Sequence, residues 1–411
     1  MEKSKYNIEK ERGNEILIYN TYTGAVISLE DENVTYYKNG EYEKIPETEQ
    51  LLDFGILVES LDQEMKEIDE RKTKYIDSST QLYLTILPTT LCNLRCVYCF
   101  ESIRNITMTE DVVCDMIDFV KRTLIENNYK ELNVNWFGGE PLFYPQLLKK
   151  VYNRIHDLTM EMGVHLSNSI ITNGTFLSSN NIKFLKEMEN LTYIQITLDG
   201  CKEVHDKRRP LIGSSSYTMI MENLDLCVKE ELPISIRINV DKDNVEYVAQ
   251  LINELGNHKD FKEKLSVYFG RVVGSQASYT SYEFSKIRSK CYKILKQYGF
   301  THAVANYIPT STAIQCGGLA KHSLVIDANG DLYTCWEVVG DPEYKIGTIY
   351  EGINQVDWKL KCTEKEECLK CKVYPICHSG CPKHYNDPLK NNCMYIPELL
   401  IDDIERLIVD D

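Results

Sequence analysis

The chain has 411 residues, length enough for two or three domains. With 43% hydrophobic and 26% charged residues it has the composition of a soluble protein with a real core. The 62 acidic and 46 basic residues give a net charge of −16. That argues against a nucleic-acid partner, because neutralising phosphates needs clustered Lys and Arg. The start, MEKSKYNIEKERGNE, has no apolar core of a secretory signal, and no run of 18 apolar residues occurs anywhere. A cytoplasmic protein with no membrane partner is expected. Fifteen cysteines are anomalous in such a chain: disulfides are disfavoured there, so metal binding leads.

Taken in chain order, residues 1–80 begin with strand-like runs Glu15–Asn20 and Ala25–Leu29 joined by a Thr-Gly turn. A helix around Glu47–Phe54, the apolar Ile56–Val58 and a charged linker helix over Asp62–Lys74 follow. From about 81 to 300 a strand–helix alternation repeats six times. The strands are expected at Leu82–Leu87, Leu132–Phe137, Ser169–Thr172, Tyr193–Leu198, Ile234–Val240 and Leu265–Phe269. Helical periodicity follows, as over Val112–Glu126, Gln146–Met162 and Tyr217–Lys229. Six such units predict an α/β fold with a parallel sheet, either open or an incomplete barrel. Function is then expected at the C-terminal ends of the strands. Residues 301–411 have weak periodicity and many cysteines, as in a small domain held by metal, closed by a helix over Pro397–Val409.

After the first of these strands stand Cys92, Cys96 and Cys99, spaced C-x3-C-x2-C and followed by Phe100-Glu101. Three thiolates on one loop can hold three irons of a cubane and leave the fourth open, since soft sulfur suits iron–sulfur chemistry. A structural zinc site is the plain alternative, but zinc usually needs a second Cys pair. The segment resembles the signature of the radical S-adenosylmethionine (SAM) superfamily, with Tyr98 at its usual aromatic position. Gly138-Gly139-Glu140-Pro141, closing the next strand, resembles the family's GGEP motif. Its glycines let backbone approach a ligand, and in the family the motif hydrogen-bonds the amino group of SAM, with Glu140 an anionic acceptor. Thr197-Leu-Asp199-Gly200 and His205-Asp206-Lys-Arg208-Arg209 resemble a segment of the peptide-acting branch. The resemblance implies that Thr197 and Arg209 help hold the SAM ribose and carboxylate; Arg208 is one residue away, and either arginine is equally a structural ion-pair partner. Asn173 reads as a turn residue.

Cys316, Cys335, Cys368, Cys371, Cys377, Cys381 and Cys393 are spaced as in the SPASM extension of radical SAM proteins. The resemblance, over residues 81–394, implies two auxiliary 4Fe–4S clusters, three in all. Cys368, Cys371, Cys377 and Cys393 would hold the distal one; Cys316, Cys335 and Cys381 would hold the one nearer the barrel. Some members complete the latter with a further cysteine. This chain has Gly317-Gly318-Leu-Ala-Lys-His322 there, and Cys362 is the internal rival for the fourth iron. Two zinc sites are the alternative reading. Cys114, Cys201, Cys227 and Cys291 stand outside every motif and read as buried small hydrophobes.

The resemblance therefore implies an oxygen-sensitive enzyme with three parts: residues 1–75, 81–300 and 301–411. The first would be a small α+β, winged-helix-like leader-recognition domain, the second a partial (β/α)6 barrel, the third an iron–sulfur SPASM domain. Such a strand edge can pair with an extended leader peptide. The expected partners are a precursor peptide and an electron donor such as flavodoxin or ferredoxin. The expected reaction is a cross-link, a cysteine thioether first. Oxidation of Cys or Ser to formylglycine and a carbon–carbon cross-link are the alternatives; a non-catalytic zinc-ribbon binding protein is the reading from another class.

Overall fold

The computed structural model describes residues 1–101, 104–258, 260–300, 308–354, 366–384, 393 and 395–406. Cys362 and the last residues of the expected C-terminal helix lie outside them. At the N-terminus, strands β1 (Glu2–Lys3), β2 (Asn7–Arg12), β3 (Glu15–Asn20) and β4 (Val26–Glu30) precede helices α1 (Glu32–Asn39) and α2 (Thr48–Asp53). Strand β5 (Leu57–Val58) and helix α3 (Leu61–Asp77) complete this part. β1, β2 and α1 are additions to the sequence-based expectation. The run Asn-Ile-Glu-Lys-Glu-Arg of β2 has little intrinsic preference for a strand. It forms one because it pairs with β3 along its whole length, from Asn7↔Asn20 to Arg12↔Glu15.

β3 is the middle strand of the β2–β3–β4 sheet and is buried on both faces. Ile16 and Ile18 pack with Tyr37, Leu51 and Ile56 of the same module. Leu17 and Tyr19 pack instead against Ile376, Leu400 and Ile401 of the C-terminal zone. Polar contacts follow the same seam: the Tyr19 hydroxyl donates to Pro309 O at 2.6 Å, and Arg12 pairs with Glu405 at 2.9 Å.

The six expected strands are present as β6 (Gln81–Ile86), β7 (Glu131–Trp136), β8 (His165–Thr172), β9 (Leu191–Thr197), β10 (Ile234–Val240) and β11 (Ser266–Arg271). All neighbouring pairs are parallel. The connecting helices are α4 (Glu110–Glu126), α5 (Pro145–Met162), α6 (Ser179–Glu187), α7 (Lys202–Arg208), α8 (Ser216–Lys229), α9 (Val245–Asn257) and α10 (Phe261–Lys264), with α11 (Ser281–Gln297) after β11. Local signals set their ends: Thr109 caps α4, Thr280 and Glu283 form a capping box on α11, and Gly163 (φ 65°) ends α5. One continuous core joins the sheet to these helices, with Trp136, Leu148, Ile194 and Leu251 fully buried. The parallel register brings all six C-terminal strand ends to one rim.

The C-terminal zone does not stand apart from this sheet. Its strand β12 (Ser323–Ile326) pairs in parallel with β6, and β13 (Asp331–Tyr333), β14 (Gly347–Thr348) and β15 (Gly352–Ile353) extend the sheet antiparallel to ten strands. Arg104, just after the cysteine loop, reaches buried Asp327 in the β12–β13 turn at 3.1 Å. The helix Pro397–Ile404 packs on β2 and α11, where Ser289 donates to Asp403. Among the described residues no helix is long and apolar enough to cross a membrane. Leu17→Ala removes a fully buried side chain from the seam and is expected to cost about 2–5 kcal/mol. Urea unfolding checks this, and limited proteolysis should show the N-terminal and C-terminal zones loosening together.

Candidate active site

The cysteine loop leaves β6 and lies against the turn after β7 with no side chain between them. A Cβ on Gly138 would sit 2.5 Å from Thr89 O, and one on Gly139 would sit 2.4 Å from Leu91 O and 2.5 Å from Thr90 O. In the sequence-based reading these glycines admit a ligand; in the structure the backbone they admit is that of the loop leading to Cys92. Two backbone bonds bind the segments, Gly139 N to Thr89 O at 3.2 Å and Glu140 N to Leu91 O at 2.8 Å. Pro141 is buried beside them.

Glu140 is fully buried, and burial raises its pKa. It accepts from Leu142 N (2.9 Å), the Thr172 hydroxyl (2.7 Å) and Asn173 N (2.7 Å), so it ties the end of β7 to the end of β8. A carboxylate has about four acceptor positions, which leaves room for one more donor. Asn173 is the turn residue expected, accepting from Thr175 N at 2.9 Å. It also touches the loop, with Nδ2 2.8 Å from Asn93 Oδ1 and 3.7 Å from Cys92 Sγ.

Cys96 acts electrostatically on both Cys92 and Cys99. Burial first, then Glu140, pushes Cys92 up to about 12, and burial raises Cys96 and Cys99 as well. Tyr98 fastens the loop to the rim. Its hydroxyl meets Asp199 Oδ2, Arg209 Nη1 at 2.8 Å and Asn239 Nδ2 at 3.2 Å. Asp199 is fully buried at the end of β9, and Thr197, the last residue of that strand, is buried beside it.

The two arginines part company here. Arg208 is held bidentately by Asp241, at 2.9 Å for each nitrogen, and its guanidinium lies 5.2 Å from the Tyr98 ring centroid. Arg209 gives one nitrogen to Tyr98; the buried Nε of each arginine has no hydrogen-bond partner, that of Arg208 lying 3.7 Å from Asp199 Oδ2. His205 Nδ1 accepts from Asp199 N at 3.2 Å. Burial, then Arg209, lowers it to about 3, so the imidazole is neutral and structural. Asn239, Asp241 and Arg104 were not singled out in the sequence; the readable sign was a polar pair, Asn239 and Asp241, closing the apolar run of β10.

Farther along, burial raises the Cys316 and Cys335 thiols, and both are near enough to Cys381 and Glu337 to be raised further by them. Glu337 accepts from His384 at 3.1 Å and Lys383 at 3.3 Å, joining the Cys335 segment to the one after Cys381. In the segment after Cys316, Gly318 N–H donates to Cys316 Sγ at 3.3 Å, and a Cβ on Gly318 would sit 2.8 Å from Thr334 O. Cys368 and Cys371 likewise interact, Cys377 is buried and Cys393 is exposed. Rings of Phe100, Phe137 and Trp336 run between Cys99 and Cys335, with centroids 6.4 and 5.7 Å apart. Of the remaining cysteines, Cys201, Cys227 and Cys291 are buried as expected. Cys114 is exposed instead, its sulfur 2.9 Å from Arg154 Nη1 on the outer face of α4. Among the described residues no three His, Cys, Asp or Glu side chains converge as a single metal ion requires. A cubane asks for something else, one thiolate on each of several irons.

The Radical SAM superfamily profile matches residues 86–255. The chain carries a radical SAM domain and is a radical SAM enzyme. It is 23% identical to the serine-type anaerobic sulfatase-maturating enzyme of Klebsiella aerogenes over 331 residues, 72% of this chain and 78% of that one. It is 26% identical to the cysteine-type anaerobic sulfatase-maturating enzyme of Clostridium perfringens (strain ATCC 13124) over 334 residues, 71% of this chain and 85% of that one. Among solved structures, anSMEcpe with bound AdoMet and the Cp18Cys peptide aligns with TM-score 0.62 at 22% identity, covering 80% of this chain and 98% of that one. Streptococcus suis SuiB bound to precursor peptide SuiA aligns with TM-score 0.54 at 14% identity, covering 95% and 98%.

A radical SAM domain works with SAM and a 4Fe–4S cluster. The residues present fit them. Three thiols share one loop, with Cys96 near enough to act on the other two, and the buried arginines that act on Cys96 have Nε donors without a hydrogen-bond partner, capacity for an anion. Gly139→Ala places a methyl group against backbone that cannot yield without moving Cys92. The reconstituted variant is expected to lose about four irons per chain, one cubane. Iron and sulfide analysis against the parent protein measures this.

Proposed function

We propose that this enzyme matures a ribosomally made precursor peptide, holding the leader on the N-terminal module and forming a thioether from a cysteine of the precursor. The observation that carries the reading is the N-terminal module. The anSMEcpe alignment takes in 80% of this chain, whereas that of SuiB bound to precursor peptide SuiA takes in 95% and so includes most of residues 1–77. The module also offers a strand edge. Asn20 N bonds Ala25 O, and Asp31 N bonds Asn14 O, so Val26, Ser28 and Glu30 turn their backbone groups away from β3. Among the described residues nothing pairs with that outer edge of β4, and an extended leader peptide can add to it.

In this reading Cys92, Cys96 and Cys99 hold the SAM-binding cluster, Thr197 and Arg209 contact the SAM ribose and carboxylate, and Arg208 stays with Asp241. Glu140 and its turn, as the backbone of the site, bind the amino group. When bound, SAM and the reduced cluster supply a 5′-deoxyadenosyl radical, with the electron coming from a flavodoxin or ferredoxin. Cys368, Cys371, Cys377 and Cys393 hold the distal auxiliary cluster, and Cys316, Cys335 and Cys381 the nearer one. The last three account for three irons of four, and in this reading a precursor thiolate rather than Cys362 takes the fourth. Forming the C–S bond removes one hydrogen atom from carbon, one proton from sulfur and one electron, and a nearby cluster is a suitable acceptor for the electron.

The sulfatase-maturating relatives, 23–26% identical over about 70% of the chain, favour a second reading, oxidation of Cys or Ser to formylglycine. Reconstituted enzyme, SAM, a reductant and a cysteine-rich precursor separate the two by tandem mass spectrometry. A thioether product lacks two hydrogens and has a cysteine that no longer alkylates. Formylglycine reacts with hydrazides, and a carbon–carbon cross-link leaves every cysteine alkylatable.

Replacing Cys92, Cys96 and Cys99 together with Ala is expected to abolish 5′-deoxyadenosine formation while iron remains in the C-terminal zone. Continued reductive SAM cleavage by that variant would overturn the assignment. Ser28→Pro removes one outward N–H from β4 and leaves the β3 ladder intact. Precursor binding, read by fluorescence anisotropy, should weaken at least tenfold while SAM cleavage without peptide continues at the parent rate; unchanged affinity would remove the leader-binding role.

A further inference from the structure

The Tyr98 hydroxyl has one proton to donate and two lone pairs to fill. Its three neighbours match that capacity. Arg209 can only donate and Asp199 is the acceptor, so the third neighbour decides whether the arrangement is complete. That neighbour is Asn239, whose amide presents either its oxygen or its nitrogen depending on which group lies behind it. Behind it stands Arg237, with Nε 2.8 Å from Asn239 Oδ1. A guanidinium accepts nothing, so the amide oxygen must face Arg237 and Nδ2 must face Tyr98. Arg237 is half-buried, 6.0 Å from the Tyr268 ring centroid, and the Tyr268 hydroxyl bonds Gln195.

Space for this pair exists because the facing residue on β11 is Gly270, in register with Asn239. A Cβ there would fall 2.8 Å from Arg237 Nε, 2.9 Å from Arg237 Nη2 and 2.9 Å from Asn239 Oδ1. The chain thus keeps a glycine on an interior strand, where it lowers strand stability, at the spot where an arginine and an asparagine must meet.

We propose that Arg237 and Asn239 are positioning residues for SAM. They fill one lone pair of Tyr98, direct its proton to Asp199, and so leave Arg209 held by one nitrogen with its remaining donors turned to the SAM carboxylate. The proposal rests on the assignment of Arg209 to that carboxylate made above.

The test uses the anaerobically reconstituted full-length enzyme with SAM as the probe, reading SAM Kd by equilibrium dialysis, iron per chain and melting temperature. Asn239→Asp keeps the shape and still accepts from Arg237 but cannot donate to Tyr98. Gly270→Ala, with no left-handed backbone to strain, pushes the Arg237–Asn239 pair apart. Each is expected to raise Kd about tenfold, as one unpaired buried polar group does, with iron content unchanged. The loss should appear in KM for SAM rather than in kcat. Arg237→Lys, which also only donates, is expected to bind SAM within about threefold of the parent. Parental SAM affinity in Asn239→Asp, while Arg209→Ala binds weakly, would overturn the proposal and leave the Arg209 assignment standing. Parental affinity in Arg209→Ala overturns both. If Gly270→Ala fails to fold, the isosteric Asn239→Asp decides alone.

Discussion

Two stretches of backbone in this enzyme touch where no side chain can come between them. Gly138 and Gly139, at the end of β7, lie against Thr89–Leu91, the entry to the cysteine loop, closer than any Cβ allows. Everything the site does depends on that contact. It sets the height of the loop above the rim of the sheet, and with it the places of Cys92, Cys96 and Cys99. The next residue, Glu140, extends the same constraint to β8 by accepting three protein donors in a fully buried place. A buried carboxylate is costly unless it is satisfied in this way. Its bonds therefore make the loop, the glycine turn and the end of β8 one rigid unit.

A second set of contacts holds the far side of the loop. The Tyr98 hydroxyl collects groups from β9, β10 and the end of α7, three elements that meet only when the parallel strands are in register. The neighbouring arginines then do different work. Arg208 puts both terminal nitrogens on Asp241, Arg209 bonds to Tyr98 through one, and the Nε of each has no hydrogen-bond partner. Unused donors on a buried cation are unfavourable in isolation, and such groups gather where a ligand belongs.

The N-terminal and C-terminal zones are coupled to this centre by packing. β3 is buried on both faces because one face serves its own module and the other covers the cysteine-rich zone. β12 adds directly to β6, the strand that delivers the cysteine loop. The module that would meet a leader peptide, the sheet that carries the radical chemistry and the segments with the later cysteines thus share continuous contacts, while among the described residues nothing pairs with the outer edge of β4.

Much of this was legible in the residues. The six strand runs, the cysteine spacings and the glycine pair are local patterns, and local patterns survive in a linear chain: β10 was predicted to the residue, and the others to within a few. The strand β2 was not legible, because Asn-Ile-Glu-Lys-Glu-Arg becomes a strand only through its partner β3. The addition of β12–β15 to the barrel sheet was equally invisible, since strand pairing across more than two hundred residues leaves no periodic trace. The sequence by itself determined which residues are available for metal and cofactor chemistry, because thiols at close spacing carry their chemistry wherever the chain goes. Only the tertiary structure decided what the glycines press against, which arginine Asp241 holds, and that Asn239, Arg237 and Gly270 come together behind Tyr98. Those answers depend on hydrogen bonds and clearances between segments far apart in the chain, which exist only once the sheet has assembled.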